Sequence, residues 1–115
     1  MDCTQLKGMK TMAKAIVNAG VCGRTTEIIA ESEDMVNAVI QITSDCTGYS
    51  QMEGISYEID AYAACLSKLG QNKVVEIFRE FCIHAACPVP TAALKAIEVA
   101  CQLALPRNVS IEISK

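Results

Sequence analysis

From residue 11 onward the chain alternates apolar and small or polar positions. Over 11–17, Met12, Lys14 and Ile16 take one parity and Ala13, Ala15 and Val17 the other, the period of a strand. Asn18-Ala19-Gly20-Val21-Cys22-Gly23 interrupts it with two glycines, a turn signal. A second strand is predicted over 25–31, β-branched at Thr25, Thr26, Ile28 and Ile29, and the polar Ser32-Glu33-Asp34 closes it. A third follows over 36–44, with Ala38, Ile40 and Ile42 on one face and Val39, Gln41 and Thr43 on the other. Three strands joined by short connections predict an antiparallel meander.

The period then changes. Over 58–69, Ile59, Tyr62, Leu66 and Leu69 fall on one helical stripe, with Gly70 as the C-cap. Val74, Ile77, Phe78 and Phe81 predict a second helix over 73–84. Pro88 and Pro90 stop that run and pre-set the first turn of a third helix, whose stripe is Leu94, Ile97, Cys101 and Ala104. After Pro106, Val109, Ile111 and Ile113 alternate with Ser110, Glu112 and Ser114, which predicts an edge strand added to the meander. The expected architecture is α+β: an antiparallel sheet of three to four strands packed against about three helices.

A length of 115 residues fits a single domain, with 1–10 as a loose arm. The chain is 51% apolar but only 4% aromatic, so the core must be built from Ala, Ile, Val, Leu and Met. So much apolar surface on a small domain suggests that a second copy covers part of it, as in a homodimer. Ten Lys and Arg against thirteen Asp and Glu leave no excess of positive charge, which argues against nucleic acid or an anionic membrane as partner. No apolar run approaches the roughly 18 residues of a membrane span, and none near the start resembles a signal-peptide core. Seven cysteines, an odd number, fit a reducing cytoplasm where thiols stay free or bind metal.

The meander sorts those thiols. Cys22 follows the first strand and Cys46 the third, so antiparallel order puts them at the same end of the sheet, with backbones about 10 Å apart if the strands are neighbours once removed. Cys87 immediately precedes the proline-initiated helix, where the positive end of the helix dipole favours thiolate, the form that binds metal or attacks electrophiles. His84 adds an imidazole, and Cys82 is a further thiol in the same segment. Cys101 sits on the apolar stripe of the last helix, Cys65 has no motif around it, and Cys3 lies in the arm, so these three read as packing or incidental thiols. There are no paired C-x-x-C knuckles, no P-loop, no H-E-x-x-H and no G-x-S-x-G, and a single histidine limits acid–base catalysis.

Cys22-Gly23 in a strand connection, Cys46 24 positions on and Cys87 a further 41 on, followed by the alanine-rich helix over 91–104, resemble the iron–sulfur cluster assembly scaffolds of the NifU N-terminal type. The resemblance covers roughly 17–103. It implies that fold and a cluster held by the three cysteines. Arg24 stands where those scaffolds carry an acidic residue, His84 lies three residues before Cys87 rather than beside it, and their chaperone-docking segment is not recognisable in Cys87-Pro88-Val89-Pro90. The string from Cys82 to Pro90, with Lys95 to Ala100 and Leu105 to Val109, is also similar to a family of short uncharacterised proteins of anaerobic bacteria and archaea, which implies an anaerobic, cytoplasmic setting. Thr47 departs from that family's proline after the cysteine.

Three readings follow. The first is a non-catalytic binder of zinc or an iron–sulfur cluster, with Cys22, Cys46 and Cys87 as ligands and His84 or Cys82 completing the set. The second is a thiol redox sensor or enzyme, with Cys87 reactive and Cys46 or Cys82 resolving it as a disulfide. The third is a homo-oligomeric interaction module whose thiols merely pack.

Overall fold

The computed structural model describes residues 10–115. Cys3 and all of the expected arm except Lys10 lie outside the described residues. Lys10 itself is exposed and ion-paired to Glu31 at 3.5 Å.

The alternation is realised as read. Strands β1 (Thr11–Asn18), β2 (Thr25–Ser32) and β3 (Asn37–Ser44) form an antiparallel meander. Their inner face buries Ala13, Val17, Ile28, Ala30, Ala38, Ile40 and Ile42, while the other parity stays wetter. Each connection has its own chemistry. Gly20 and Gly23 take positive φ between β1 and β2, where a side chain would be strained. Between β2 and β3 the Asp34 carboxylate accepts from the amides of Val36 and Asn37 at 3.0 and 2.8 Å, and these bonds hold its pKa below the usual carboxylate value.

The fourth strand is β4 (Tyr57–Asp60), and the sheet order is β1-β2-β3-β4. This corrects two readings. The expected helix over 58–69 begins as this strand, because 57–60 pairs with residues 37–40 of β3. Asp60 then caps a short helix α1 (Ala61–Cys65), accepting from the amides of Tyr62 and Ala63. Ala61 and Ala64 are the buried positions, and Tyr62, Leu66 and Leu69 of the expected stripe are exposed. The second correction concerns 109–113, which forms no strand: residues 104–115 are extended or irregular and all exposed.

Helix α2 (Lys73–Arg79) starts at Asn72, whose side-chain oxygen accepts from the Val75 amide at 3.0 Å, and buries Val74 and Phe78. It ends five residues before the expected boundary at 84, leaving 80–88 as a loop. Helix α3 (Val89–Ala100) has Pro88 at its N-cap and Pro90 in its first turn, as the prolines predict. It lies across β1 and β2. Ala93, Ala96 and Ala100 on its buried side let the helix backbone come close to the alanines of the sheet. The fold is thus α+β, with one sheet face covered by helices and the other open.

Helix α3 closes with the amides of Gln102 and Leu103 donating to the carbonyls of Val99 and Glu98, at 3.1 and 2.7 Å. This pairing is a Schellman motif, which places its pivotal residue in the left-handed region, and Gln102 has φ +60°. A side chain there costs about 1 kcal/mol or more relative to glycine. Gln102→Gly is therefore expected to stabilise the fold by about 0.5–1 kcal/mol, read as a Tm increase of about 2–5 °C in thermal unfolding.

Candidate functional site

At the end of the sheet where β2 begins and β3 ends, hydrogen bonds tie two loops together. The β1–β2 turn is fastened to the end of β3 by the Thr25 amide, which donates to the Asp45 carboxylate at 2.7 Å, and by the Asp45 amide, which donates to the Thr25 carbonyl at 3.2 Å. One residue inward, the hydroxyls of Thr26 and Ser44 meet at 2.7 Å across paired positions, both buried. Ser44 Oγ also accepts from the Cys46 amide at 3.1 Å, and the Cys46 carbonyl accepts from the Ser50 amide at 2.8 Å. Cys46 is thereby held on both sides of its peptide and is buried.

The next turn carries Gly48, whose α-carbon is pressed against the loop after α2. A Cβ there would run into the Phe81 carbonyl oxygen. Gly48 is thus a contact point, and it sets the Cys46 turn directly against the segment that carries Cys82, His84 and Cys87.

Between these loops lies a narrow cleft, with room for about one water-sized group, lined by Cys22, Cys46, His84 and Cys87, with Arg24, Thr26 and Tyr49 among its other walls and Ala19, Ile83 and Val89 as apolar ones. The structure therefore gathers four of the five expected site residues around one space. Cys46 is buried, Cys87 half-buried, and Cys22 and His84 exposed. Cys82 is not part of the lining: its thiol points weakly to the Arg79 carbonyl at 3.7 Å. Among the described residues no three Cys, His, Asp or Glu side chains are drawn close enough together to hold a metal ion as they stand. The thiols share a cleft without closing on a common centre.

Sequence reasoning missed Tyr49. It sits in a 3-10 turn (Tyr49–Met52), is only 2% exposed, and packs edge-to-face on Phe78 with ring centroids 5.5 Å apart. Its hydroxyl is sealed from solvent with no hydrogen-bond partner. The Cys87 thiol lies beside it without completing hydrogen-bond geometry. Burial first, then Cys87, and then the charges of Cys82 and Cys46, push this phenol well above its ordinary pKa. A buried tyrosine hydroxyl is normally paired, so an orphan facing thiols marks an incomplete site. The available signal was a tyrosine three residues past Cys46 in a chain with few aromatics.

The remaining described thiols are elsewhere. Cys101 is buried near Ser32, at the opposite end of β2, and Cys65 points to the Leu94 carbonyl at 3.8 Å. Desolvation pushes Cys65 up to about 11 and raises Cys101 as well. Both are folded as neutral thiols; the contribution of Cys65 is intact below the unfolded thiol value of 9.0 and drains away as pH rises through about 11. Replacing Cys65 with Ala should flatten the fall in stability over that alkaline window, measured by urea unfolding at a series of pH values. Gly48→Ala should destabilise by about 1–3 kcal/mol, the usual cost of forced overpacking. It should also speed alkylation of Cys46 by opening the turn that buries it, with Cys101 unaffected.

Comparison with curated proteins and with solved structures brings no match. One family matches residues 13–113, which takes in all of the fold but the first two residues of β1, and every residue of the cleft. The chain belongs to DUF6951, a family of unknown function.

Proposed function

We propose that the protein is a non-catalytic binder of a soft metal ion or an iron–sulfur cluster, held by thiolates of Cys22, Cys46 and Cys87 in the cleft at the end of the sheet. His84 or Cys82 would complete the set. The observation that carries this reading is the convergence: a turn, a strand end and a helix start, spread over 65 positions of chain, bring three cysteines and the protein's one histidine to the same small space.

Donor chemistry and size agree. Thiolates with imidazole suit zinc and iron–sulfur clusters over hard cations. The cleft has room for little more than one water-sized group, so a single ion fits it better than an organic substrate. Arg24 on the wall offsets the negative charge that several thiolates accumulate. Ala19, Ile83 and Val89 keep part of the cleft dry, and Tyr49 supplies a hydroxyl in need of an acceptor beside Cys87. A thiolate is that acceptor, and outer hydrogen bonds to ligating sulfur tune affinity and potential.

On this reading Cys22 is the adjustable arm. It is exposed, on a turn whose glycines have open space around them, whereas Cys46 and Cys87 are anchored by packing. The order of the three cysteines along the fold also supports the scaffold-like role implied by the NifU N-terminal resemblance. Bound metal would supply Lewis acidity or, as a cluster, electron or cluster transfer. The chain's own residues would bind, shield and release it.

The test is anaerobic purification followed by assay of zinc, iron and sulfide per chain and by the visible spectrum. Stoichiometric metal should vanish in Cys22→Ala, Cys46→Ala and Cys87→Ala and persist in Cys101→Ala. In Tyr49→Phe, affinity should fall about tenfold, equivalent to one hydrogen bond to a charged group (about 1.5 kcal/mol). Metal-free protein in which one thiol alkylates fast, or in which Cys46 and Cys87 form a disulfide, would replace this reading with a redox one. Metal-free protein with uniformly slow thiols would leave only a structural role for them.

A further inference from the structure

The sheet has two edges, β1 and β4, and they differ. β4 is four residues long and runs straight into α1, whereas β1 offers eight residues with β2 on one side and, among the described residues, no ladder partner on the other. A long edge strand is a template for pairing with another chain. The outer face of β1 also exposes Met12 and Ile16 on either side of Lys14.

The same molecule carries a segment shaped for that edge. After α3, residues 104–115 make no backbone hydrogen bond with the rest of the described chain. Within them Val109, Ile111 and Ile113 alternate with Ser110, Glu112 and Ser114, the pattern of a half-buried strand. Yet Ile111 is 73% and Ile113 92% exposed. Strand chemistry without a strand partner is a mismatch that a second chain can resolve. The point of departure also matters: the Thr11 hydroxyl donates to the Ala100 carbonyl at 2.6 Å, so α3 ends beside the first residue of β1. The free edge and the free segment therefore leave the body at the same side, and the molecule is long in one direction, 53 Å against 30 and 24 Å.

We propose that residues 109–113 add to the β1 edge of a second copy of the chain, each copy giving its segment to the other in a two-fold dimer. Such an interface is self-complementary, because each protomer brings one donor segment and one acceptor edge. Parity sets the faces. Val109, Ile111 and Ile113 lie beside Ala13, Ala15 and Val17, where the alanines leave room, and Glu112 falls on the outer face with Lys14. The charges that meet are complementary, since Lys14 is the one charged residue of β1 and Glu112 the one charged residue of 109–113. Lys14 already leans on Glu27 at 3.6 Å across the sheet, so Glu112 would extend that pair into a row.

Analytical ultracentrifugation and hydrogen exchange on the full chain test this. The expected result is a dimer with slowed exchange at the amides of 109–113, and a folded monomer after deletion of 106–115 or in Ile111→Pro, with circular dichroism reporting the fold. Lys14→Glu should weaken the dimer at least tenfold, and Lys14→Glu combined with Glu112→Lys should restore it. A full-length monomer overturns the proposal, whether its segment exchanges freely or is protected on its own β1. So does a dimer that survives both the deletion and Ile111→Pro.

Discussion

The approach of Gly48 to the Phe81 carbonyl is the contact on which the thiol end of the molecule depends. It allows no side chain at Gly48, and it brings the turn after β3 against the loop after α2. Without it Cys46 and Cys87 belong to separate surfaces. With it they face a common cleft, and the Tyr49 ring, one residue on from that glycine, is driven in against Phe78. A backbone contact of this kind is more exacting than apolar packing, because a carbonyl cannot rotate away as a side-chain tip can.

Around that contact the cleft has a rigid side and a loose side. The Thr26–Ser44 hydroxyl pair and the bonds between Thr25 and Asp45 fix the strand ends, and through Ser44 they fix the amide of Cys46. Cys87 is set by the prolines that start α3. Cys22 sits on a glycine turn in open space. Of the three thiols that line the cleft, Cys22 is thus the least enclosed. Tyr49 adds a buried hydroxyl that lacks an acceptor among nitrogen and oxygen atoms, which makes thiolate the natural complement.

The first three strands were legible because alternation is local: Ala38, Ile40 and Ile42 declare a buried face without reference to any other part of the chain. The region over 57–65 was not. Ile59 and Tyr62 stand three apart on a helical stripe, but pairing with β3 and the cap at Asp60 split the segment into strand and helix, and both depend on a distant partner. The 109–113 pattern reads as a strand and takes none in a single chain, since strand formation needs a neighbour that this chain does not provide. Among the site residues, Cys22, Cys46 and Cys87 could be placed from strand order and prolines alone. Tyr49 could not, because its value lies in missing a partner, which only three-dimensional packing reveals. Cys82 lies outside the cleft lining because α2 ends at Arg79 and its thiol turns back toward that residue's carbonyl.

If thiolates from three separated elements share one metal centre, X-ray absorption at the metal edge of the anaerobically reconstituted full-length protein shows a first shell dominated by sulfur, at about 2.3 Å for zinc, that is lost when Cys22, Cys46 and Cys87 are replaced together. A first shell of nitrogen and oxygen only, or a sulfur shell that survives replacement of all three, would contradict it.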